Sequence, residues 1–151
     1  MFHIVLYQPE IPPNTGNIIR LCANTGAKLH LIHPLGFNLD EKQVKRAGLD
    51  YHDLADVKEY QSYHDFLERL KPRKIFACTT KGQQNYANVN YAPGDVLLLG
   101  PETRGLPDDM LAEFSESQKI RIPMRSTTRS LNLSNATAII LYEAWRQQNF
   151  K

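Results

Sequence analysis

Residues 95–106 read DVLLLGPETRGL, a short apolar run followed at once by a polar loop with two glycines, a glutamate and an arginine. A run of this kind indicates a strand that is buried on both faces. Four similar runs, at residues 2–7, 28–33, 74–79 and 119–122, are separated by helical patterns. The sequence therefore predicts an α/β fold, a single-domain parallel sheet with helices on both faces.

Size and charge restrict the class of protein. The chain has 151 residues, is 42% hydrophobic and 23% charged, and shows no linker, repeat or low-complexity tract, so residues 1–151 are predicted to form one domain. Its 18 Lys and Arg against 16 Asp and Glu give a net charge of +2, which excludes a basic arm or an acidic tail but allows local basic patches. The longest apolar run, residues 138–142, is far shorter than the roughly 20 residues of a membrane span, and no signal peptide is indicated. We expect a soluble, cytoplasmic protein.

Two helices are predicted in the first third of the chain. The first is capped by Asn14 or Thr15, runs to about Asn24 and is followed by Gly26. The second begins after residues 38–41 and carries the cations Lys42, Lys45 and Arg46.

The last predicted helix, from about Asn132 to Gln148, is apolar around much more than one 100° stripe. Such a helix must bury two faces, either by deep insertion into its own sheet or by contact with a second subunit. For a chain this short, we predict a homodimer.

Several familiar sites are absent from the sequence. The glycines never form G-x-G-x-x-G, so no ordinary dinucleotide or Rossmann methyltransferase loop is indicated. His30 and His33 form the only close histidine pair, and no cysteine or carboxylate stands at zinc spacing beside them, so we expect no metal. Cys22 and Cys78 lie in apolar settings, which predicts packed small side chains rather than nucleophiles or a disulfide.

What remains is three polar loops, at residues 14–20, 99–107 and 122–135. In open α/β sheets, ligands bind beyond the carboxyl ends of the strands, where such loops gather. Taken one at a time, the asparagines could cap helices, the glycines could serve turns, and Arg20 could pair with Glu102. Together the loops favour a binding site, because turns alone do not require their Arg, Glu, Ser and Asn side chains.

The third loop also carries Arg125 and Arg129 among small hydroxyl residues. Small side chains allow backbone groups to approach a ligand, and arginine has an affinity for phosphate. With Arg104, Arg121 and the basic helix, these arginines predict an RNA-binding surface. For the basic helix, a solvated face explains the charge equally well.

The three loops, in this order, resemble the motifs of the SPOUT superfamily of RNA methyltransferases, in its 2′-O-ribose branch. The matches are N-x-G-x-x-x-R at residues 14–20, G-P-E-x-x-G-L at residues 100–106, and I-P-M followed by S-L-N-x-S-x-A within residues 122–136. Residues 11–26, 46–52 and 142–147 further resemble the TrmL/YibK-like group of tRNA (cytidine/uridine-34) 2′-O-methyltransferases. The resemblance covers essentially the whole chain.

This resemblance implies a C-terminal trefoil knot, a homodimer packed through the knotted region, and no metal. It also implies S-adenosyl-L-methionine as the methyl donor, with S-adenosyl-L-homocysteine as the product, held mostly by backbone atoms. The residues implied for cofactor binding are Cys78, Thr79, Gly100, Glu102, Ile122, Ser130, Leu131 and Asn132.

The implied reaction methylates the ribose 2′-hydroxyl of the wobble nucleotide, cytidine or uridine 34, in tRNA. Arg20 is implied as the activating group, with Glu102 and Asn14 orienting it. Because a guanidinium normally stays protonated, the alternative is that Arg20 holds the adjacent phosphate and polarises the hydroxyl. Arg20, Arg104, Arg125, Arg129 and Tyr142 are the predicted tRNA-binding residues, with contact to the dimer partner and core packing as the alternatives for Tyr142.

Two other functions stay open. One is a SPOUT enzyme that acts on another RNA site, such as ribosomal RNA, and the other is a non-catalytic RNA-binding protein on the same fold. The presence of Arg20, Glu102 and Asn132 disfavours the second. The wobble-type motifs disfavour the first less strongly.

Overall fold

The computed structural model describes residues 1–40, 42–45, 53–54, 56–126 and 129–151. Within these residues one sheet contains seven strands in the order β3-β2-β1-β6-β4-β7-β5, and every pairing is parallel. The strands are β1 (His3–Tyr7), β2 (Lys28–Ile32), β3 (Lys58–Tyr60), β4 (Ile75–Cys78), β5 (Gln84–Asn85), β6 (Val96–Leu99) and β7 (Lys119–Arg121). The predicted parallel sheet is confirmed, with two short edge strands, β3 and β5, that no apolar run indicated.

The helices of the described residues are α1 (Pro12–Thr25), α2 (Lys42–Lys45), α3 (Tyr63–Leu70), α4 (Asp108–Leu111) and α5 (Leu133–Gln147), with 3₁₀ turns at Tyr86–Asn88 and Glu116–Gln118. The predicted start of α1 at Asn14 or Thr15 is wrong. Ile11 is the N-cap, and two prolines occupy the first positions, where the missing proline N–H is not needed by the helix. Gly26 ends α1 in the left-handed conformation, as predicted. Arg46 and the motif at residues 46–52 lie outside the described residues, as do Thr127 and Thr128.

The two faces of the sheet are covered by different helices. Ile4 and Leu6 of β1 lie in one apolar cluster, whereas Val5 between them lies in the other. The first cluster includes Ile18 of α1 and Ile140, Leu141 and Ala144 of α5, and the second includes Phe66 of α3 with Met110 and Leu111 of α4. The alternation confirms a sheet with helices on both faces.

Helix α5 buries only one face within its own chain. Thr137, Ile140, Leu141 and Ala144 are buried, whereas Ile139 and Tyr142 are 37% and 42% exposed. Deep insertion into the sheet therefore does not account for the breadth of its apolar surface.

The parallel arrangement positions the site. The segments that follow β1, β6, β4 and β7 leave the same edge of the sheet, from four strands that are neighbours in this order. The strand order is consistent with the trefoil knot that the resemblance implies, and the threading itself stays a prediction.

Candidate active site

A cavity of about 530 Å³ opens beyond the carboxyl ends of the strands, which we call the carboxyl edge of the sheet. Its volume is in the range of small-molecule sites. The loops after β4, β6 and β7 surround it together with the start of α1, and apolar side chains such as Leu99, Ile120 and Ile140 line its interior. The three loops singled out in the sequence therefore do meet at one site.

Most of the predicted site residues contribute to this cavity. Its lining includes Asn14, Cys78, Thr79, Gly100, Glu102, Arg104, Ile122, Arg129, Ser130, Leu131 and Asn132. Among the residues that the structure describes, three predicted site residues stand outside the lining, namely Arg20, Arg125 and Tyr142. All three are exposed at the surface, which is compatible with contact to a large substrate and not with contact to a ligand enclosed by this cavity.

Sequence reasoning missed several lining residues. Thr80 and Lys81 come two and three residues after the end of strand β4, so their place in the loop after a buried strand was an available signal. Lys81 forms an ion pair of 2.6 Å with Asp108. Ile11 also lines the cavity, and it was missed because the prolines after it were interpreted as a loop rather than as the first turn of a helix.

The loop after β6 folds back on itself at Gly100. A Cβ at this position would collide with the backbone of Gly105 and Leu106. The N–H of Gly105 closes the turn by donating to the Pro101 carbonyl at 2.9 Å. Gly100 is therefore required for the shape of the loop, and it presents backbone rather than a side chain at this point of the cavity.

A chain of hydrogen bonds, which we call the polar relay, connects Asn132, Asn14 and Glu102. The Oδ1 atom of Asn132 accepts from the N–H groups of Ser134 and Asn135 at 2.9 and 3.2 Å and so caps α5. With Oδ1 held there, the Nδ2 of Asn132 donates to Asn14 Oδ1 at 2.9 Å, and the Nδ2 of Asn14 donates to Glu102 Oε2 at 3.2 Å. The cap of α5 thus sets the orientation of both amides, and every donor in the relay points toward Glu102.

Glu102 also binds the segment that leads into α1. Its Oε1 accepts from the N–H of Glu10 and its Oε2 from the N–H of Ile11, both at 2.8 Å. Three N–H donors, including the Asn14 amide, therefore hold this carboxylate, and the positive end of the α1 dipole favours its charge. Glu102 ties the loop after β6 to the start of α1 and thereby fixes one side of the cavity.

Both thiols are poor nucleophiles. Burial raises the pKa of Cys22 to about 12, and burial also raises the pKa of Cys78, which lines the cavity. A protonated thiol does not attack an electrophile efficiently. The two free cysteines therefore behave as packed small side chains, as predicted.

The histidine pair does not converge on one point. His30 is buried and hydrogen-bonds His3 and Tyr60, whereas His33 pairs with Glu59 at 2.8 Å. In the part of the chain that the structure describes, no group of three or more His, Cys, Asp or Glu side chains is placed to hold a metal ion. None of the helices described there has the length and apolar character needed to cross a membrane.

The fold and the cavity define an α/β protein with a cavity of small-molecule size at the carboxyl ends of the strands of a parallel sheet. More particularly, the chain belongs to the SpoU rRNA methylase family, whose family model matches residues 1–142. The predicted family is thus confirmed.

Relatives and solved structures resemble the chain over its full length. A tRNA (cytidine(34)-2′-O)-methyltransferase of Aeromonas hydrophila subsp. hydrophila is 58% identical over 150 residues, covering 99% of this chain and 96% of that protein. A solved structure that concerns the 2-OH methylation of C/U34 on tRNA is 45% identical with a TM-score of 0.91, covering 100% of this chain and 98% of that one. An AdoMet-bound rRNA methyltransferase from Sinorhizobium meliloti is 27% identical with a TM-score of 0.82, covering 96% of this chain and 56% of that one. These similarities confirm the α/β fold class.

Proposed function

We propose that this protein transfers a methyl group from S-adenosyl-L-methionine to the ribose 2′-hydroxyl of nucleotide 34, a cytidine or uridine, in tRNA. The observation that carries the proposal is that the three predicted loops line one shared cavity, in a chain that is 58% identical to a tRNA (cytidine(34)-2′-O)-methyltransferase. A tRNA substrate supports a location in the cytoplasm. One sheet joins strands from β1 to β7, which supports residues 1–151 as one SPOUT methyltransferase domain.

The cavity fits this cofactor by size and chemistry. Its volume of about 530 Å³ accommodates a small molecule, its apolar interior suits an adenine ring, and its polar rim suits ribose and amino-acid groups. We assign cofactor binding to Cys78, Thr79, Gly100, Glu102, Ile122, Ser130, Leu131 and Asn132. When bound, S-adenosyl-L-methionine would supply a methyl group on a sulfonium. The 2′-oxygen would form the new C–O bond as the C–S bond breaks to leave S-adenosyl-L-homocysteine, and the hydroxyl proton would pass to water.

The polar relay supports catalysis by fixing geometry. It holds the loop after β6, the cap of α5 and the start of α1 in one arrangement through hydrogen bonds of 2.8 to 3.2 Å. Keeping two reactants at near-attack distance can contribute several kcal/mol to catalysis. Glu102 and Asn14 are therefore assigned to ordering the site.

Arg20 is assigned to the phosphate beside nucleotide 34, where its charge polarises the 2′-hydroxyl. Its side chain is exposed on α1, where it is accessible to the backbone of a large substrate. The Arg20→Lys variant separates charge from shape. A fully active lysine variant would contradict any role that requires the planar, two-pronged guanidinium.

Cations surround the mouth of the cavity. Arg104 and Arg129 line it, and Arg125 is exposed on the loop that leads to α5. Arginine binds phosphate well, so these residues are assigned to the tRNA backbone together with the exposed Tyr142, which can stack on a base. No separate RNA-binding domain is needed for this contact.

The exposed face of α5 supports a homodimer. Ile139 is 37% exposed on α5, although Thr137, Ile140, Leu141 and Ala144 are buried within the chain. We expect sedimentation to give a dimer of the 17.3 kDa chain. Ile139→Asp should shift it to monomer, and the exposed control Gln83→Asp should not. A monomeric wild-type protein would contradict the dimer.

The central experiment is transfer of labelled methyl groups from S-adenosyl-L-methionine into total tRNA, with ribosomal RNA as a parallel substrate, followed by nucleoside mapping. The expected result is 2′-O-methylated cytidine or uridine at position 34. Label in ribosomal RNA alone would contradict the substrate. The absence of label from any RNA would contradict the enzymatic function and favour a non-catalytic RNA-binding protein.

A further inference from the structure

Glu10 and Glu102 hold each other's loops through an exchange of hydrogen bonds. The N–H of Glu10 donates to Glu102 at 2.8 Å. In return, the Oε1 atom of Glu10 accepts from the N–H and from the hydroxyl of Thr103, at 2.9 and 2.7 Å. Two carboxylates thus connect the loop after β1 to the loop after β6. None of the three sequence motifs includes Glu10.

The backbone around Glu10 is itself anchored. Gln8 donates its N–H to the carbonyl of Ile32 at the end of β2, and Pro9 accepts from the N–H of Gly36, both at 2.9 Å. Because helix α1 starts directly after this segment, Glu10 sits between rigid elements on both sides. It can therefore act as a fixed support for Thr103.

Arg104 is held loosely beside the same carboxylate. Its Nε lies 3.7 Å from Glu10 Oε2, and its Nη2 lies 3.5 Å from the side-chain oxygen of Gln8. Both distances are at or beyond the limit of a good hydrogen bond, and the Arg104 side chain is 60% exposed. A phosphate can therefore displace Glu10 from the guanidinium without breaking a short hydrogen bond, although the charge of Glu10 still attracts Arg104.

The negative charge of Glu10 is stabilised mainly by its hydrogen bonds with Thr103. The Thr103 amide, followed by the Thr103 hydroxyl, lowers the pKa of Glu10, and the nearby Arg104 acts in the same direction. Glu10 is thus an anion throughout the neutral range. It presents one negative charge beside the arginine that we assign to tRNA.

We propose that Glu10 is a positioning residue: it fixes the loop that carries Glu102 through Thr103, and its charge competes with an RNA phosphate for Arg104. The inference rests on the proposed RNA substrate. The two effects are separable, because support of Thr103 needs an acceptor oxygen whereas competition for Arg104 needs a negative charge.

Glu10→Gln keeps an acceptor oxygen and removes the charge, and Glu10→Ala removes both. The matched control for the change in charge is Glu68→Gln on α3. The carboxylate of Glu68 is exposed and lies 3.0 Å from His64. We expect Glu10→Gln to bind tRNA about three- to tenfold more tightly at low salt, with a salt dependence steeper by up to about one unit of log Kd per log salt. The control should keep the wild-type salt dependence.

The rate of methyl transfer tests the support of Thr103. At saturating tRNA and cofactor, kcat of Glu10→Ala should be at least about tenfold below that of wild type. The kcat of Glu10→Gln should be at least about fivefold above that of Glu10→Ala. Thr103→Val, which loses the hydroxyl donor but keeps the N–H, should fall between wild type and Glu10→Ala. This variant also keeps the test valid if Glu10→Ala folds poorly.

Equal kcat values for Glu10→Gln and Glu10→Ala would overturn the support of Thr103. A salt dependence of Glu10→Gln equal to that of Glu68→Gln would overturn the competition for Arg104. The competition would also be overturned if Glu10→Gln, added to Arg104→Gln, gave the same gain in tRNA affinity over Arg104→Gln alone as it gives over wild type. A wild-type protein that binds tRNA but transfers no methyl group would contradict the proposed function instead, and the binding comparison could still be made.

Discussion

Two polar networks of the sheet differ in how they meet water. At the carboxyl edge, the polar relay of Asn132, Asn14 and Glu102 ends in a carboxylate and borders an open cavity. Among the first three strands, His3, His30 and Tyr60 are hydrogen-bonded across β1, β2 and β3, and His30 is only 1% exposed. The relay has a carboxylate at the cavity and can therefore order a binding site. The histidine network has only partners within the sheet and therefore stabilises the fold.

The histidine network is neutral for a physical reason. Burial lowers the pKa of His30 to about 3, and the positive charges of His3, Lys58 and Arg69 act in the same direction. Both ring nitrogens nevertheless have partners, His3 at 2.9 Å and the Tyr60 hydroxyl at 2.8 Å. His30 therefore joins three strands without carrying a charge into the core.

The largest effect is expected at the polar relay. Glu102→Gln leaves one N–H donor facing an NH₂ group, and loss of one charge-assisted hydrogen bond costs about 1.5–3 kcal/mol. If this cost falls on the arrangement needed for transfer, kcat/KM should fall about 100-fold. Methyl transfer to tRNA measures it, with Glu68→Gln as the control. Activity within a factor of two of wild type would contradict the anchoring role of Glu102.

A smaller effect separates the relay from the helix cap. Asn132→Asp keeps an excellent N-cap for α5 but replaces the donor to Asn14 with an oxygen, so two acceptors face each other somewhere along the relay. We expect activity to fall about tenfold or more while the melting temperature changes by less than about 3 °C. Thermal unfolding and methyl transfer are measured side by side. Activity and a melting temperature that both stay at the wild-type level would show that Asn132 acts only as a cap.

Two ion pairs of equal length extend the comparison to stability. Arg73–Asp95, before β6, and Lys81–Asp108, at the cavity, both measure 2.6 Å, but Asp95 is 1% exposed and Asp108 is 83% exposed. Asp95 also accepts from the N–H of Ala92 at 2.8 Å. Asp95→Asn should destabilise the fold by roughly 1–3 kcal/mol in denaturant unfolding, because the amide that replaces the buried carboxylate cannot accept from both Arg73 and Ala92 as a charged group. Asp108→Asn should leave the unfolding midpoint unchanged, since both groups of its pair are solvated. Equal effects would contradict the role of burial.

The smallest effect expected is a pH dependence of stability. Because the pKa of His30 is lowered to about 3 in the folded protein, the unfolded chain binds a proton first as pH falls below about 6.5. Stability is then fully present above that pH and decreases as pH falls from about 6.5 toward 3. Between pH 7 and 5.5 the free energy of unfolding should decrease by about 1 kcal/mol, measured by denaturant titration. His30→Gln should flatten this dependence, and an unchanged slope would contradict the assignment.

Much of the fold and site could be predicted because the signals are local. The short apolar runs became β1, β2, β4, β6 and β7, and Asn132 was predicted at the start of the last helix. The start of α1 was wrong because two prolines look like a loop until their place in the first turn is known. Strand β3 has only Tyr60 buried among three residues, so no apolar run indicated it. Arg20 stands outside the cavity lining although its motif matched, because a motif specifies spacing and not the direction of a side chain.

The sequence by itself determined the parallel α/β class, the three loops and the family, because hydrophobic periodicity and motif spacing are properties of neighbours along the chain. Only the tertiary structure decided which loops touch. Glu10 and Thr103 are far apart in sequence, as are Asn132 and Asn14, and their hydrogen bonds exist only because parallel strands bring their carboxyl ends to one edge. The tertiary structure likewise decided that His30 is buried while Glu102 borders a cavity, since burial depends on the whole packed sheet and not on the residue or its neighbours.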